Sequence, residues 1–340
     1  MQRIMSILKD ATVLVTGATG AIGHRVVHAL CAAGYEVRTF SLDSLEPKLF
    51  PPEVDNHIGD VTDPTAVHAA MQGIDAVVHL AALLHILNPP LELREKYESI
   101  NVDGTATVVK AAIAAGVKRV VFASTIAVYG PSGGRMLDEE SETLPDTFYA
   151  QTKLAAEKIV LNARRADGLP LGTVLRFGAV YGTQVKGNYR RLLQSLARGR
   201  FIPIGNGKNR RTLVYDRDVA QATVLAARHP DAAGQVYNVS DGRCHSLNEI
   251  IAAISLALGR KPPRLSLPIG PIRFAISILE NGARLVSLKS PVMRATIDKY
   301  TEDIAVDCQR IQTKLGFVPQ YDLAAGWLET VKEMRQSGEL

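Results

Sequence analysis

The chain predicts an α/β fold, a doubly wound parallel sheet with a smaller C-terminal lobe, and three observations point to it. A short apolar run, Ala11 to Val15, breaks into Thr16-Gly17-Ala18-Thr19-Gly20-Ala21-Ile22-Gly23 and then resumes at helical spacing. Apolar strand-like runs alternate with helical patterns as far as Thr125, as parallel strands joined by crossover helices do. Ala76-Val77-Val78-His79-Leu80 is nearly continuous in apolar side chains, as a strand covered on both faces must be.

The glycine turn comes first. Gly17 can take a backbone angle closed to residues with a Cβ, Gly20 lets the main chain come close to a ligand, and Gly23 lets the new helix pack near the strand. The N–H groups at that helix start, with the positive end of its dipole, form a site for a pyrophosphate. The spacing is GxxGxxG, not GxGxxG, so the strand before it and the helix after it carry much of the argument.

A helix over about 23–33 ends at Gly34, and Tyr35 to Ser41 reads as the second strand. Its end is where a dinucleotide fold selects between NAD and NADP. Ser41 stands there, followed by Leu42 and Asp43; Asp43 can reach a ribose if the loop bends back, and Arg38 can face a 2′-phosphate. The residues leave both cofactors open, and NAD is the reading taken, with NADP the alternative. His57-Ile58-Gly59-Asp60 ends the third strand, and Asp63-Pro64 opens a helix with a capping residue and a first-turn proline. Asp60 can meet an adenine amino group or simply cap a turn. After the Ala76–Leu80 strand, the small Ala81 and Ala82 leave room for a cofactor or for close packing. A helix over 101–115 closes at Gly116, and Arg119 to Thr125 is the fifth strand. The glycine turn, Ala81, and Ser124 with Thr125 all fall at the carboxyl edge of the sheet, where ligands sit in such folds.

Bulk properties set limits. At 340 residues the chain exceeds the usual size of one compact domain. Its formal charge of +5 is spread without a basic block, so nucleic acid is not indicated, whereas a mildly positive cleft suits a phosphate-bearing substrate. Cys31, Cys244 and Cys308 are odd in number and lack metal-ligand spacing, which fits a reducing cytoplasm, no disulfide framework and no metal. Arg3, Lys9 and Asp10 interrupt any signal-like run, and the longest apolar candidate, Ile269 to Leu288, contains Arg273, Glu280 and Arg284. It is expected to be an amphipathic helix rather than a membrane span.

The chemistry concentrates in Tyr149-Ala150-Gln151-Thr152-Lys153, a phenol and an amine four residues apart and hence on one helical face. A phenol with a reference pKa of about 10 is a poor base near neutrality, but a nearby cation favours its phenolate. Tyr149 can then move the proton of a substrate hydroxyl while hydride moves between the same carbon and a nicotinamide. Lys153 can also hold the nicotinamide ribose, and the hydroxyls of Ser124 and Thr125 can polarise the substrate oxygen or relay its proton.

These segments together resemble an extended short-chain dehydrogenase/reductase of the nucleotide-sugar epimerase/dehydratase branch, with a Rossmann sheet. Thr16 to Gly23 is similar to the family's cofactor turn, GDVTD to its adenine contact at Asp60, and HLAA (His79 to Ala82) and NVDGT (Asn101 to Thr105) to segments around the cofactor. The resemblance implies cofactor contacts at Gly17, Thr19, Gly20, Ala21, Ile22, Ser41, Asp43, Asp60, Val61, Leu80, Ala81, Ala82, Asn101, Ser124, Tyr149, Lys153 and Phe177. It aligns Thr125 with the catalytic Ser/Thr, with Ser124 beside the nicotinamide. Phe177, in LRFGAVYG, stands where the family usually has proline, and Lys314 to Pro319 resembles the C-terminal family segment. Asn188 and Arg211 fall where related sugar enzymes bind the nucleotide diphosphate; an Arg fork suits phosphate oxygens. The implied division is a dinucleotide-binding domain of residues 1–176 plus a returning segment 212–240, and a substrate lobe of 177–211 and 241–340, in a cytoplasmic homodimer.

Ile126 and Ala127 stand where the related dehydratases place Asp-Glu, so elimination of water lacks its acid and base. The expected activity is NAD(P)-dependent epimerisation at C4 of a UDP-hexose through a 4-keto intermediate. The long apolar segment from Pro262 to Met293 supports a second reading, net redox on a 4-keto sugar or on a hydrophobic alcohol such as a 3β-hydroxysteroid.

Overall fold

The computed structural model describes residues 11–84, 90–274 and 300–340, with only the backbone of residues 91 and 92 described. The dinucleotide-binding part runs β1 (Thr12–Thr16), α1 (Gly23–Ala32), β2 (Glu36–Ser41), β3 (Asp55–Ile58), α2 (Pro64–Ala70), β4 (Ala76–His79), α3 (Leu91–Glu98), α4 (Gly104–Ala114), β5 (Arg119–Thr125), α5 (Phe148–Asn162) and β6 (Gly172–Phe177). The chain continues through β7 (Ala179–Tyr181), α6 (Asn188–Ala197), β8 (Arg210–Tyr215), α7 (Asp216–Arg228), β9 (Val236–Val239), β10 (Cys244–Ser246), α8 (Leu247–Ala257), α9 (Gln309–Leu315) and α10 (Leu323–Gln336).

Seven strands form one parallel sheet in the order β3-β2-β1-β4-β5-β6-β9. The order reverses between β1 and β4, which opens the crevice beyond their carboxyl ends. Alternation along each strand builds two separate cores. Val13 and Val15 face Val26, Val27 and Leu30 of α1 and Val219 and Ala222 of α7, whereas Leu14 and Val77 face Val67 of α2, Val108 of α4 and Val160 of α5. The expected cap of α2 is present: Asp63 accepts from the amides of Thr65 and Ala66 at 2.9 and 3.3 Å, with Pro64 in the first turn.

A second sheet, β10-β8-β7, packs on α6, α8 and α10, so residues 212–215 of the expected returning segment pair outside the seven-stranded sheet. Its core is aromatic at the centre, with Tyr181 stacked on Trp327 at 4.4 Å. The two sheets are interwoven in sequence, since the chain leaves the large sheet after β6 and returns to it in α7 and β9. Arg25 of α1 ties them further by pairing with Asp216 at 3.2 Å and with Glu333 of α10 at 2.5 Å. Residues 269–274 begin a helix, while the rest of the Ile269–Leu288 segment lies outside the described residues, as do Arg3, Lys9 and Asp10. Among the described residues no helix is long and apolar enough to cross a membrane.

His79, fully buried at the end of β4, joins three elements: its ring nitrogens contact the hydroxyl of Thr16 at 2.6 Å and that of Thr105 at 3.0 Å. Burial, assisted by the charge of Lys153, lowers its pKa to about 3, so it is neutral in the folded chain. The unfolded chain takes up a proton at this histidine as the pH falls below 6.5, and the folded one refuses it until about 3. Stability contributed by neutral His79 is therefore lost progressively across that window, by about 2 to 3 kcal/mol two pH units below the unfolded value. Denaturant unfolding at pH 7 and pH 4.5 should show this loss, and a His79→Gln variant should be less stable at pH 7 but should lose less on acidification.

Candidate active site

The glycine turn folds as its sequence requires. Gly17 has φ +70°, and a Cβ there would lie 2.6 Å from the backbone of Ala81, so the turn and the chain after β4 meet at van der Waals limits. A Cβ on Gly23 would lie 2.0 Å from the carbonyl oxygen of Ala18, so the third glycine packs the helix against the turn itself. Gly20 differs: a Cβ there would meet only the turn's own Gly17 carbonyl, at 3.0 Å. No side chain caps the start of α1, which leaves the amides around Ala21 and Ile22 as donors for an anion. This uncapped turn is a fitting cradle for a dinucleotide pyrophosphate.

The end of β2 bears on which dinucleotide fits. Ser41 is buried and its Oγ accepts from the amide of Thr19 at 3.4 Å, tying the strand end to the turn, while Asp43 is exposed beyond it. Arg38, the one basic candidate for a 2′-phosphate, is bound elsewhere: it donates to Asp55 at 2.6 Å and to the carbonyls of Ala70 and Gln72 at 3.1 and 2.7 Å. Asp60 accepts from the amide of Thr62 at 2.9 Å, the turn-capping role considered for it. Val61 is buried against Gly104, and Leu80 continues the β4 pairing through its amide to Thr16 at 3.1 Å. Ala81 donates to the Thr16 hydroxyl at 3.4 Å, and Ala82 is half-buried beside it.

Asn101 lies in a single π-turn, Ser99–Asp103, between α3 and α4 and is buried. Its side chain accepts from the amide of Leu83 at 2.7 Å and donates to the carbonyl of Leu83 at 3.3 Å and to the hydroxyl of Thr152 at 3.1 Å. It thereby fastens the loop after β4 to α5, the helix of the Tyr-Lys pair. That helix is capped by Thr147, whose hydroxyl accepts from Ala150 at 3.2 Å.

Tyr149 is half-buried, and its ring meets that of Tyr97 edge-on at 6.3 Å. One expectation is corrected here. Burial, with the Tyr97 phenol adding to it, raises the Tyr149 pKa above the ordinary phenol value rather than lowering it. Lys153 is buried with its Nζ 4.0 Å from the centre of the Phe122 ring, and burial lowers its pKa to about 7, against the pull of Glu157. An amine that is half neutral at that pH cannot acidify the phenol as a full ammonium would.

The two hydroxyls at the end of β5 have different surroundings. Thr125 is half-buried, and its oxygen accepts from the amide of Ala127 at 3.2 Å, which leaves its hydrogen for a substrate oxygen. Ile126 and Ala127 follow in a 3-10 turn and present no ionisable group. Ser124 is buried and donates to the carboxylate of Glu157. Glu157 in turn holds Arg176 of β6, with Nε at 3.0 and 3.2 Å and Nη2 at 2.6 Å. Arg176 continues to the phenol of Tyr129 at 2.9 Å, and Tyr129 to Asn238 at 2.9 Å. Burial works against the charge on Arg176, but hydrogen bonding and attraction from Glu157 outweigh it and raise its pKa. This network under the site was not singled out from sequence. Its signal was present: Glu157 lies four residues after Lys153 on the same helical face, and Arg176 is the one charge in the strand Gly172–Phe177.

Phe177, at the end of β6 in register with Thr125 and Val239, is buried in the core on the α1/α7 face. Asn188 opens α6, is exposed, and lines a small cavity of about 40 Å³ with Tyr181, Lys186 and Trp327. Arg211 is in β8 and is engaged by the carboxylate of Glu302 at 3.8 Å and by the carbonyl of Tyr300 at 3.2 Å. An incoming diphosphate would have to share this guanidinium with Glu302. Among the described residues no cluster of three metal-ligating side chains occurs.

Fold and site define a dinucleotide-dependent enzyme with a hydroxyl at the end of β5 and a phenol and an amine on α5, the helix that follows it. The chain belongs to the NAD dependent epimerase/dehydratase family, whose model matches residues 13–240, and NAD is its cofactor. It is 28% identical to a UDP-glucose 4-epimerase of Vibrio cholerae, over 96% of each chain. It is 30% identical to a 3 beta-hydroxysteroid dehydrogenase/Delta 5-->4-isomerase of Mycobacterium tuberculosis (strain CDC 1551 / Oshkosh), over 91% of this chain and 86% of that one. Among solved structures, MoeE5 in complex with UDP-glucose and NAD superposes with a TM-score of 0.74 at 28% identity, covering 96% of this chain and 99% of that one.

Two outcomes test this geometry. Glu157→Ala leaves Arg176 buried without its carboxylate and should cost about 3 to 5 kcal/mol in unfolding free energy. Lys153 must carry a proton to act as a cation, so kcat/KM should be high below its pKa and fall as pH rises through about 7. A Lys153→Arg variant, whose charge does not titrate in this range, should lose that limb of the profile whatever its absolute rate.

Proposed function

We propose that this enzyme epimerises C4 of a UDP-hexose by removing and returning hydride at one carbon. The observation that carries the reading is the sheet edge itself: Thr125 keeps a hydroxyl hydrogen to offer, Tyr149 and Lys153 lie one helix away, and Ile126 and Ala127 supply no acid or base for elimination. NAD, held at the glycine turn by the amides around Ala21 and Ile22, would supply the hydride acceptor and donor for the substrate carbon. Thr125 donates to the 4-oxygen, and Tyr149, in the phenolate form that Lys153 favours when it carries its proton, takes the substrate's proton and returns it after the 4-keto sugar has presented its other face. Ser124 acts indirectly, as a wall held in place by Glu157. In this reading residues 177–211 and 241–340 supply the sugar nucleotide's contacts, Asn188 and Arg211 hold the diphosphate, and the enzyme is a cytoplasmic homodimer.

A second reading, net oxidation or reduction of a hydrophobic alcohol, is favoured by one specific observation. Arg211 is already paired with Glu302, so the presumed diphosphate contact is electrostatically spent, and an uncharged substrate would not need it.

The deciding experiment follows UDP-glucose and a 3β-hydroxysteroid separately with purified enzyme and NAD. Interconversion of UDP-glucose and UDP-galactose without accumulation of NADH supports epimerisation; stoichiometric NADH from the sterol, with no epimer, overturns it. Glu302→Gln should lower KM for the UDP-hexose by freeing Arg211 and leave a sterol KM unchanged. Tyr149→Phe should reduce kcat by about 10²- to 10⁴-fold while retaining NAD binding.

A further inference from the structure

In the smaller lobe, cationic charge and exposed apolar side chains coincide in two stretches of chain that pair with each other. Neither 188–215 nor 250–274 contains an Asp or Glu. The two stretches carry Arg198, Arg200, Lys208, Arg260, Lys261 and Arg264, all exposed, and none of these has a carboxylate partner among the described residues. The fold sets the stretches side by side. The Arg260 guanidinium lies 3.3 Å from where a Cβ on Gly199 would stand. The amide of Leu267 donates to the carbonyl of Pro203 at 2.9 Å, and that of Gly205 donates to the carbonyl of Leu267 at 2.8 Å. On this paired edge Leu265 is 83% exposed, Ile202 56% and Leu267 45%, and Phe274, nine residues after Leu265, is 71% exposed.

Large apolar side chains left in water among unpaired cations fit one kind of surface, a layer of anionic headgroups over acyl chains. A nucleic-acid backbone would satisfy the cations and leave the leucines in water. We infer that this part of the smaller lobe docks on an anionic lipid bilayer. The cations lie against the headgroups while Leu265, Phe274, Ile202 and Leu267 enter the boundary between headgroups and acyl chains. None of these residues is among those named for the cofactor, the proton transfer or the diphosphate, so the docking and the reaction succeed or fail separately.

The test is co-sedimentation of the full chain with vesicles of phosphatidylcholine alone and of phosphatidylcholine mixed with phosphatidylglycerol. The protein should pellet with the mixed vesicles, fail to pellet with the neutral ones, and dissociate as salt is raised. An Arg260→Glu, Lys261→Glu, Arg264→Glu triple variant should bind the mixed vesicles at least about tenfold more weakly. Leu265→Glu should also weaken binding, and both variants should keep the wild-type melting temperature and NAD affinity. Absence of pelleting with the mixed vesicles overturns the inference, as does binding that neither variant changes. Tighter binding to a DNA duplex than to the mixed vesicles would assign the cations to nucleic acid instead and also overturn it.

Discussion

The buried pair of Glu157 and Arg176 is the interaction on which the site's geometry depends. It joins α5 to β6, and through the Ser124 hydroxyl it joins both to the end of β5. Two charges taken out of water repay their desolvation only when every remaining donor and acceptor is satisfied, and here Tyr129 and Asn238 complete the set. The cost is met at the place where α5 must keep one register over the sheet. A slip of that helix by one residue would turn Tyr149 and Lys153 away from the strand end, because side chains on a helix share a face only at intervals of three or four.

Burial is the second theme, and it acts against charge throughout the site. It keeps His79 neutral, brings Lys153 to a pKa of about 7, and raises that of Tyr149. The protein's own residues therefore set a phenol that favours its proton and an amine poised between charge states. The charge state of Lys153 therefore governs how readily Tyr149 can give up its proton, which couples the two groups.

Much of this was legible in the sequence where local chemistry dictates structure. The glycine turn, the Asp63-Pro64 helix start, the buried Ala76–His79 strand and the Tyr-Lys helix all rest on short-range rules of backbone freedom, capping and periodicity. What escaped depends on contacts between residues far apart in the chain. The partners of Arg38 and Arg211, namely Asp55 and Glu302, lie 17 and 91 positions away. A sequence presents each arginine as an available cation, and only the fold shows it occupied. Ser124 is a similar case: its position at the strand end was evident, whereas its donation to Glu157 requires knowing that α5 crosses above it.

The occupied arginines carry the argument about specificity further than the catalytic residues do. Tyr149, Lys153 and Thr125 would serve any secondary alcohol presented to the same nicotinamide face, so they cannot choose between a sugar and a hydrophobic substrate. Choice must come from groups whose free energy differs between the two, and Arg211 is the clearest example. A diphosphate gains from that guanidinium only by displacing or sharing Glu302, and the carboxylate repels the same anion; an apolar substrate is indifferent to both. The Glu302 carboxylate thus sets a threshold that only a ligand bringing its own compensating contacts can cross. If Arg211 meets the substrate as proposed, it is β8 and the segment after residue 300, rather than the phenol, that would decide between the two classes of substrate.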